Sequence, residues 1–181
     1  MSCLNGDTHM TPAILYKTSD SGKTWNEISR TEDMDSTDPM PLTYKTGITF
    51  INSKTGWITT QLPKAGYLGL FKTTDGGLTW HDQKVDIPEN NKSDSFLTSQ
   101  PVFFSKKDGI LITYQCDRSN YLVYVTHDGG ENWAVITENA KDGNISWTID
   151  SVNGLEVIYN KKFWISHSGY NGYDGWEVLK K

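Results

Sequence analysis

The sequence predicts an all-β protein built from repeated four-stranded antiparallel sheets, and two recurring patterns carry this prediction. One is an eight-residue motif that occurs three times at nearly equal spacing in the 181 residues. The other is a strand–turn–strand pattern that precedes the later copies of the motif. The composition agrees with both, because 12% aromatic residues and 16 glycines suit many short strands joined by tight turns.

The eight-residue motif reads Thr-x-Asp-x-Gly-x-Thr/Asn-Trp, and its copies are named here the first, second and third box. The three closing tryptophans are 55 and 53 positions apart, a regularity that average residue usage does not produce by chance. The repeated residues are Thr18, Asp20, Gly22, Thr24 and Trp25, then Thr73, Asp75, Gly77, Thr79 and Trp80, then Thr126, Asp128, Gly130, Asn132 and Trp133.

Each box has the chemistry of a tight hairpin turn. The Asp side chain accepts hydrogen bonds from nearby backbone N–H groups, as in Asx-turns. The Gly adopts a positive φ that is costly for other residues. The hydroxyls tie the ends of the turn, and the Trp begins the returning strand and brings an apolar face to the core. The boxes are therefore predicted to be structural clips and not a catalytic set of carboxylates.

The second pattern places an apolar residue five or six positions before a Gly that is followed by further apolar residues. Each copy reads as strand, tight turn and strand, and each lies ahead of a box or its remnant. The copies are Phe50 to Gly56, Phe103 to Gly109 and, more weakly, Ile149 to Gly154.

Together the two patterns predict four strands per repeat, at a repeat length typical of one propeller blade. In the second repeat we expect strands at Tyr44–Asn52, Gly56–Gln61, Tyr67–Thr73 and Thr79–Val85. In the third we expect Pro101–Ser105, Gly109–Gln115, Tyr121–Thr126 and Asn132–Glu138. In the last, where the box has decayed ahead of Trp176, we expect Ser146–Ser151, Gly154–Asn160, Phe163–Ser166 and Trp176–Leu179.

The predicted architecture is a partial β-propeller of about three and a half blades, whereas propellers close with about four to eight. A tail at 1–12 precedes a half blade at 13–29, which holds only the last hairpin of its blade. Blades follow at 42–87, 98–139 and 146–181. An open arc exposes strand edges, so we expect ring closure by missing blades or by self-association.

These residues resemble the BNR/Asp-box, or sialidase-like, β-propeller repeat proteins. The strand pair ahead of each box is most similar in pattern to bacterial propellers of the photosystem II assembly factor kind. The resemblance covers nearly the whole chain, from about Ala13 to Leu179. It implies the fold and a secreted or cell-surface location. It does not imply one activity, because such propellers include sialidases, xyloglucan hydrolases, sorting-receptor ectodomains and non-catalytic scaffolds.

Sialidase activity is disfavoured by the arginine count. A sialidase binds the sialic acid carboxylate with three convergent arginines, since the guanidinium fork matches a carboxylate. This chain contains two, Arg30 and Arg118. A glycosidase needs only two carboxylates at a suitable separation, and 22 acidic residues leave that alternative open.

Ligand-binding residues are expected on the face opposite the boxes. The turns between first and second and between third and fourth strands share the box face. The remaining connections share the other face, named here the loop face. One loop-face stretch runs from Arg30 to Lys45 and contains Asp33, Asp35 and Asp38. These carboxylates offer oxygens for Ca²⁺, but the stretch lacks the Gly and distal Glu of an EF-hand loop, which favours a solvated acidic loop.

Two further stretches fall on the loop face. One is the polar segment 88–100, and the other is the turn 115–120, which contains Asp117 and Arg118. Arg118 beside Asp117 is either a binding group or an ion pair within the turn. The four histidines show no ligand spacing, so no metal site and no cofactor are predicted.

Charge and composition limit the classes of binding partner that the sequence predicts. A net charge of −5 without a basic cluster does not suit nucleic acid, and no apolar stretch approaches the length of a transmembrane helix. We therefore expect a non-catalytic binding or scaffold propeller module that recognises protein or glycan through its loop face. The alternative is a fragment of an Asp-box glycoside hydrolase.

Overall fold

The structure, a computed structural model, describes residues 12–31, 40–41, 43–61, 64–115, 120–150, 154–167 and 175–179. Within these ranges the chain forms sixteen strands and one 3-10 helix, and no α-helix. The predicted all-β fold class of antiparallel sheets is therefore confirmed. The chain divides into two compact units: unit 1 is Met1–Val102 with Thr113–Tyr121, and unit 2 is Phe103–Ile112 with Leu122–Lys181.

The first sheet is a two-stranded antiparallel hairpin that holds the first box in its turn. A register shift between Leu15 and Tyr16 marks a bulge in its first strand. Its strands are β1 (Ala13–Lys17) and β2 (Asn26–Thr31).

The second sheet has the four strands expected of a blade, in consecutive order. Its second strand has the bounds that the sequence predicts, but its fourth is much shorter than the predicted Thr79–Val85. The third begins two residues later than predicted, because residues 64–68 belong to the preceding loop. The strands are β3 (Tyr44–Phe50), β4 (Gly56–Gln61), β5 (Gly69–Thr73) and β6 (His81–Asp82).

The third sheet follows a 3-10 helix at Glu89–Asn91 and differs from prediction in its first strand. Two short strands, and not the single predicted strand Pro101–Ser105, pair with the same edge of β9. The interruption places Pro101, which lacks an N–H donor, between the two pairings. The strands are β7 (Leu97–Thr98), β8 (Val102–Phe103), β9 (Gly109–Tyr114), β10 (Tyr121–Thr126) and β11 (Ala134–Ile136).

The fourth sheet contains the four predicted strands and one more. The additional strand pairs with β13 through a tight turn at Gly143, which has a φ of 57°. The strands run in consecutive order: β12 (Lys141–Asp142), β13 (Ile145–Asp150), β14 (Gly154–Tyr159), β15 (Lys162–His167) and β16 (Gly175–Leu179). The compact units are larger than single blades, so the predicted blade boundaries stay a prediction.

The middle strands form the core of the second and third sheets. Residues 56–60 of β4, 109–113 of β9 and 122–126 of β10 are buried without interruption. This explains why their sequences are continuous runs of apolar residues and Thr and do not alternate with charged residues. In unit 1, Trp80, Ile58 and Met40 form a cluster against which Leu15 and Phe71 pack.

Threonines tie β3 to the segment that follows the 3-10 helix in unit 1. The Thr46 hydroxyl donates to the Thr98 carbonyl at 2.6 Å, and the Thr49 hydroxyl donates to the Pro101 carbonyl at 2.9 Å. Gly47 lies between them, and a Cβ there would stand 2.6 Å from Cβ of Gln100. Glycine is therefore needed at this close approach.

Candidate functional site

The second box shows how the motif closes its turn. Asp75 Oδ1 accepts the backbone N–H groups of Leu78 and Thr79, both at 3.0 Å, and Asp75 Oδ2 accepts the Thr79 hydroxyl at 2.6 Å. The Thr73 hydroxyl donates to Asp75 Oδ1 at 2.8 Å and accepts the Gly77 N–H at 2.9 Å. Every side-chain oxygen of the Asp and of the first Thr is therefore used to hold the turn.

The first and third boxes repeat this arrangement. Asp20 Oδ2 accepts the Thr24 hydroxyl at 2.6 Å, and Asp128 Oδ2 accepts the Asn132 side-chain amide at 2.8 Å. The Thr18 and Thr126 hydroxyls donate to the carboxylates of Asp20 and Asp128, as the Thr73 hydroxyl does to Asp75. The same two hydroxyls accept the N–H groups of Gly22 and Gly130. The same hydrogen-bonded turn therefore occurs in all three boxes.

The hydrogen bonds lower the pKa of the box carboxyls. The Thr24 hydroxyl and N–H, followed by the Thr18 hydroxyl, lower the pKa of Asp20 to about 2. The Thr79 hydroxyl and N–H hold the pKa of Asp75 far below its usual range. For Asp128, desolvation acts in the opposite direction, but hydrogen bonds from Asn132 and Thr126 lower the pKa to about 2. Carboxylates this acidic are poor general acids near neutral pH.

The box tryptophans do not all behave as predicted. Each precedes the returning strand by one residue, so none begins it. The Trp80 indole donates to the Gly77 carbonyl at 3.2 Å and is buried, at 7% exposure. The Trp25 indole makes the same bond to Gly22, also at 3.2 Å, yet Trp25 is 60% exposed. The expectation that each Trp brings its face to the core is wrong for Trp25.

The spacing of Phe before Gly has a structural explanation. The Phe50 ring meets Trp80 edge-on at a centroid distance of 6.0 Å, and the Phe103 ring meets Trp133 in the same way at 6.0 Å. A Cβ on Gly56 would lie 2.5 Å from the Phe50 ring. The Gly therefore makes room for the Phe, and the Phe covers the box Trp of its own sheet.

All five sequence-predicted binding residues lie outside the described residues. Arg30, with which the first loop-face stretch begins, lies at the end of the first hairpin and binds Glu27 through both its Nε and its Nη2, the latter at 2.7 Å. This forked pair engages its guanidinium within its own strand. The predicted residues that fall outside are Asp33, Asp35, Asp38, Asp117 and Arg118.

The described part of the loop face in unit 1 is rich in tyrosine. Tyr44 begins β3 and is 55% exposed. Tyr114, which ends β9, lies 6.3 Å from Tyr121, which begins β10, between ring centroids. The Tyr67 hydroxyl donates to Asp82 at 3.1 Å, and desolvation, together with the Asp82 charge, raises the pKa of Tyr67 to about 12. Tyr67 is therefore a neutral side chain near neutral pH.

The segment after β6 is held close to the loop that precedes β5. The Gly66 N–H donates to the Asp94 carbonyl at 3.2 Å, and the buried Asn91 amide donates to the Asp94 carboxylate at 3.2 Å. Lys92 forms an exposed ion pair with Glu89. Glu89 and Asp94 are therefore each engaged by a neighbouring residue of this segment.

A titratable cluster that sequence reasoning missed lies in unit 2. His127 occupies the variable second position of the third box, and its Nδ1 lies 2.8 Å from Asp108 while its Nε2 lies 3.3 Å from Asp142. The Tyr159 hydroxyl donates to Asp108 at 3.0 Å. The hydrogen bond with Asp108, and then Asp142, raises the pKa of His127. The cluster joins residues from four segments, which spacing along the chain does not reveal.

The Asp108–His127–Asp142 arrangement does not converge on one point, because the two carboxylates bind opposite nitrogens of the imidazole ring. Across the described ranges, no group of three or more His, Cys, Asp or Glu residues suits a metal ion. A search of the same residues finds no helix with the length and apolar character of a membrane span.

Three clips on antiparallel sheets define an Asp-box β-propeller repeat protein. The family model described as Sortilin-Vps10: Sortilin, neurotensin receptor 3, matches residues 13–170. This match spans most of the chain, and the chain therefore belongs to this family of BNR/Asp-box propellers. The predicted sialidase-like recognition and the partial-propeller fold class are both confirmed.

The sequence and fold were also compared with solved structures and with curated proteins. A solved structure described as "YCF48 bound to D1 peptide" matches with 21% identity and a TM-score of 0.41, over 75% of this chain and 39% of that chain. This chain therefore spans well under half the length of that one. No curated protein matches the sequence.

Proposed function

We propose that this chain is a non-catalytic binding module that takes a protein ligand on the loop face of unit 1. The observation that carries the proposal is the group of tyrosines at the loop ends of the strands. Tyr44 is exposed at the start of β3, and Tyr114 and Tyr121 form a ring pair at the loop ends of β9 and β10. Tyrosine offers a large contact area, a hydroxyl and little entropy loss, which is why contact surfaces are enriched in it.

The family description supports a protein ligand over a glycan. It names neurotensin receptor 3, which by that name is a receptor for neurotensin. A module of this kind would act outside the cytoplasm, in a secreted or cell-surface protein, as the Asp-box resemblance implies. Its ring would be closed by further blades or by self-association.

The use of the described carboxylates supports a non-catalytic function. The box carboxylates are saturated by hydrogen bonds within their own turns. Asp108 and Asp142 share His127 between them and so do not face a common substrate atom. A glycosidase requires one carboxyl that can give a proton and a second that can attack or activate water.

The proposal is tested by panning a random peptide library against the full chain. The affinities of selected peptides are then measured by titration calorimetry. We expect Tyr44→Ser to weaken binding about tenfold, as expected for loss of a central aromatic contact. The matched control is Tyr16→Ser, which removes a tyrosine of similar exposure, 49%, from β1.

Three outcomes would overturn the proposal. Selected peptides that bind Tyr44→Ser and wild type equally would place the ligand elsewhere. Binding of glycans in an array, with no peptide enriched, would make the ligand class wrong. Hydrolysis of an aryl glycoside that depends on a loop-face carboxylate would favour the hydrolase alternative.

A further inference from the structure

The third and fourth sheets meet within unit 2 through a small group of side chains. Tyr159, which ends β14, stacks on Phe104, which follows β8, at a centroid distance of 4.6 Å and an interplanar angle of 13°. The Tyr159 hydroxyl donates to Asp108, directly before β9, at 3.0 Å. One end of the fourth sheet is thereby attached to a turn of the third.

His127 forms a second link between the same two sheets. Its Nδ1 lies 2.8 Å from Oδ1 of Asp108 in the third sheet, and its Nε2 lies 3.3 Å from Oδ1 of Asp142 in the fourth. A Cβ on Gly143 would stand 3.1 Å from Cε1 of His127, so the turn between β12 and β13 packs directly against the ring. The imidazole therefore lies between one carboxylate of each sheet.

The protonation state of the ring decides whether both contacts are hydrogen bonds. A neutral imidazole has one N–H donor and one acceptor nitrogen, whereas an imidazolium has two donors. An ionised carboxylate can only accept. Neutral His127 can therefore donate to Asp108 or to Asp142, and its other nitrogen then faces a carboxylate oxygen without a proton between them. Both sheets are held at once by the imidazolium.

The surroundings of His127 favour the charged form. Among the described residues, Asp108 and Asp142 are the charged groups that act on the ring, and both are acidic. The hydrogen bond with Asp108 is the larger effect, and with Asp142 it raises the pKa of His127 against the opposing effect of desolvation. The His127 side chain is 40% exposed, so protons reach it from solvent without any opening of the sheets.

A basic side chain next to a box Thr also links the first and second sheets. Lys17 directly precedes Thr18, and its ammonium donates to the carbonyls of Ser53 at 3.1 Å and Gly76 at 3.4 Å in turns of the second sheet. Of these two links, the one to the fourth sheet passes through an imidazole, the side chain whose ordinary pKa lies closest to neutral pH.

We propose that His127 is a pH-dependent clasp between the third and fourth sheets, which holds the fourth sheet more firmly when its imidazole is protonated. In mild acid the ring donates to both Asp108 and Asp142. As the pH rises through the folded-state pKa of His127, one N–H is lost and one carboxylate loses its donor. Tyr159 still binds Asp108, so the fourth sheet stays attached but opens more often.

The test is hydrogen–deuterium exchange of the full chain, with each amide rate corrected for its intrinsic rate at the same pH. The measured quantity is the protection of amides in β13 and β14 relative to those in β4 and β5 of the second sheet, which His127 does not contact. This ratio should fall about two- to fivefold between about pH 5.5 and about pH 8.5, the size expected of a partly exposed ion pair.

Two variants separate the clasp from the rest of the contact. Asp142→Asn keeps the size of the side chain and removes its charge, so the ratio should no longer change with pH. Tyr159→Phe removes the hydroxyl bond and keeps the ring on Phe104, so the ratio should be lower at both pH values and should still change between them. Circular dichroism checks that each variant is folded.

Nuclear magnetic resonance supplies an independent measurement. The carbon-bound ring proton of His127 should titrate at a higher pH in wild type than in Asp142→Asn, because protonation and the link to Asp142 favour each other. Equal titration in the two proteins would disprove the clasp. So would the same pH dependence of the exchange ratio in both, or an equal loss of protection in the second and fourth sheets, which would make the pH effect a property of the whole chain.

Discussion

The first and second boxes share one motif and one set of hydrogen bonds but differ in their surroundings. In both, Asp accepts a Thr hydroxyl at 2.6 Å, and the Trp indole donates to the Gly carbonyl at 3.2 Å. Trp80 is nevertheless buried under Phe50 and the first sheet, while Trp25 is mostly exposed. The motif therefore determines the turn, and neighbouring strands determine whether its Trp contributes to the core.

Truncation of the two tryptophans should show this difference most strongly. Trp80→Ala should lower the free energy of unfolding by about 3–5 kcal/mol, because it leaves a cavity in the core of unit 1. Trp25→Ala should lower it by less than about 1 kcal/mol, as is usual for exposed side chains. Urea unfolding followed by circular dichroism measures both. Equal losses would mean that the first box is covered in solution.

Removal of the box carboxylate should have the next largest effect. Asp75→Ala removes the acceptor of four hydrogen bonds and should cost about 2–3 kcal/mol, since hydrogen bonds to charged groups are the stronger kind. Asp20→Ala should cost less, because water can replace its bonds at an exposed turn. Urea unfolding of both variants and of wild type measures the two losses in the free energy of unfolding.

The same carboxylates should govern stability in acid. Their pKa values are lower in the folded chain than in the unfolded chain, so the folded state binds fewer protons. Their contribution is present above the ordinary pKa of 3.8 and is lost as the pH falls towards about 2, the folded value for Asp20 and Asp128. In Asp75→Ala, the free energy of unfolding should fall less steeply than in wild type as the pH is lowered. The same acid dependence in the variant and in wild type would contradict this account.

The residue directly after the box Asp differs between the first and second boxes. Gly76 takes a φ of 82° there, whereas Ser21 takes a φ of 59° in the first box. Left-handed backbone is costly for a residue with a Cβ, so Ser21→Gly should stabilise the chain by about 0.5–1 kcal/mol. The urea midpoint measures the gain.

The control for Ser21→Gly is the opposite kind of substitution, from Gly to a residue with a Cβ, at the aligned position of the second box. Gly76→Ala should destabilise, because its Cβ would stand 2.8 Å from the Ser53 carbonyl oxygen. A loss of stability in Ser21→Gly would show that the Ser side chain itself supports the first turn.

The smallest expected effect concerns His127 in the third box. Its raised pKa means that the imidazolium bridge between Asp108 and Asp142 contributes stability below the ordinary pKa of 6.5 and loses it as the pH rises through the folded value. The groups are partly exposed, so the contribution should be below about 1 kcal/mol. His127→Gln should lower stability at about pH 5 and have little effect at about pH 9.

The matched change for His127 is His81→Gln, at an exposed His on β6. A similar pH dependence in both variants would exclude the bridge as the cause.

The hairpin turns and the middle strands were predictable from sequence because their causes are local. The bounds of β4 and β10 match the predicted strands, since each is delimited by a Gly turn or a box. The short β6 and the broken first strand of the third sheet were not predictable. Their limits depend on how far a neighbouring strand continues to offer hydrogen-bond partners, which involves residues distant in the chain.

For the candidate site, the sequence by itself determined the three clips and the loops on which ligand contacts are expected. Each clip closes within eight residues, so the residues that form its hydrogen bonds lie close together in the sequence. Only the tertiary structure decided that Trp80 is core and Trp25 is surface, and that His127 meets Asp108, Asp142 and Tyr159 in one cluster. Burial and ion pairing depend on which strands lie side by side, and that is a property of the assembled sheets.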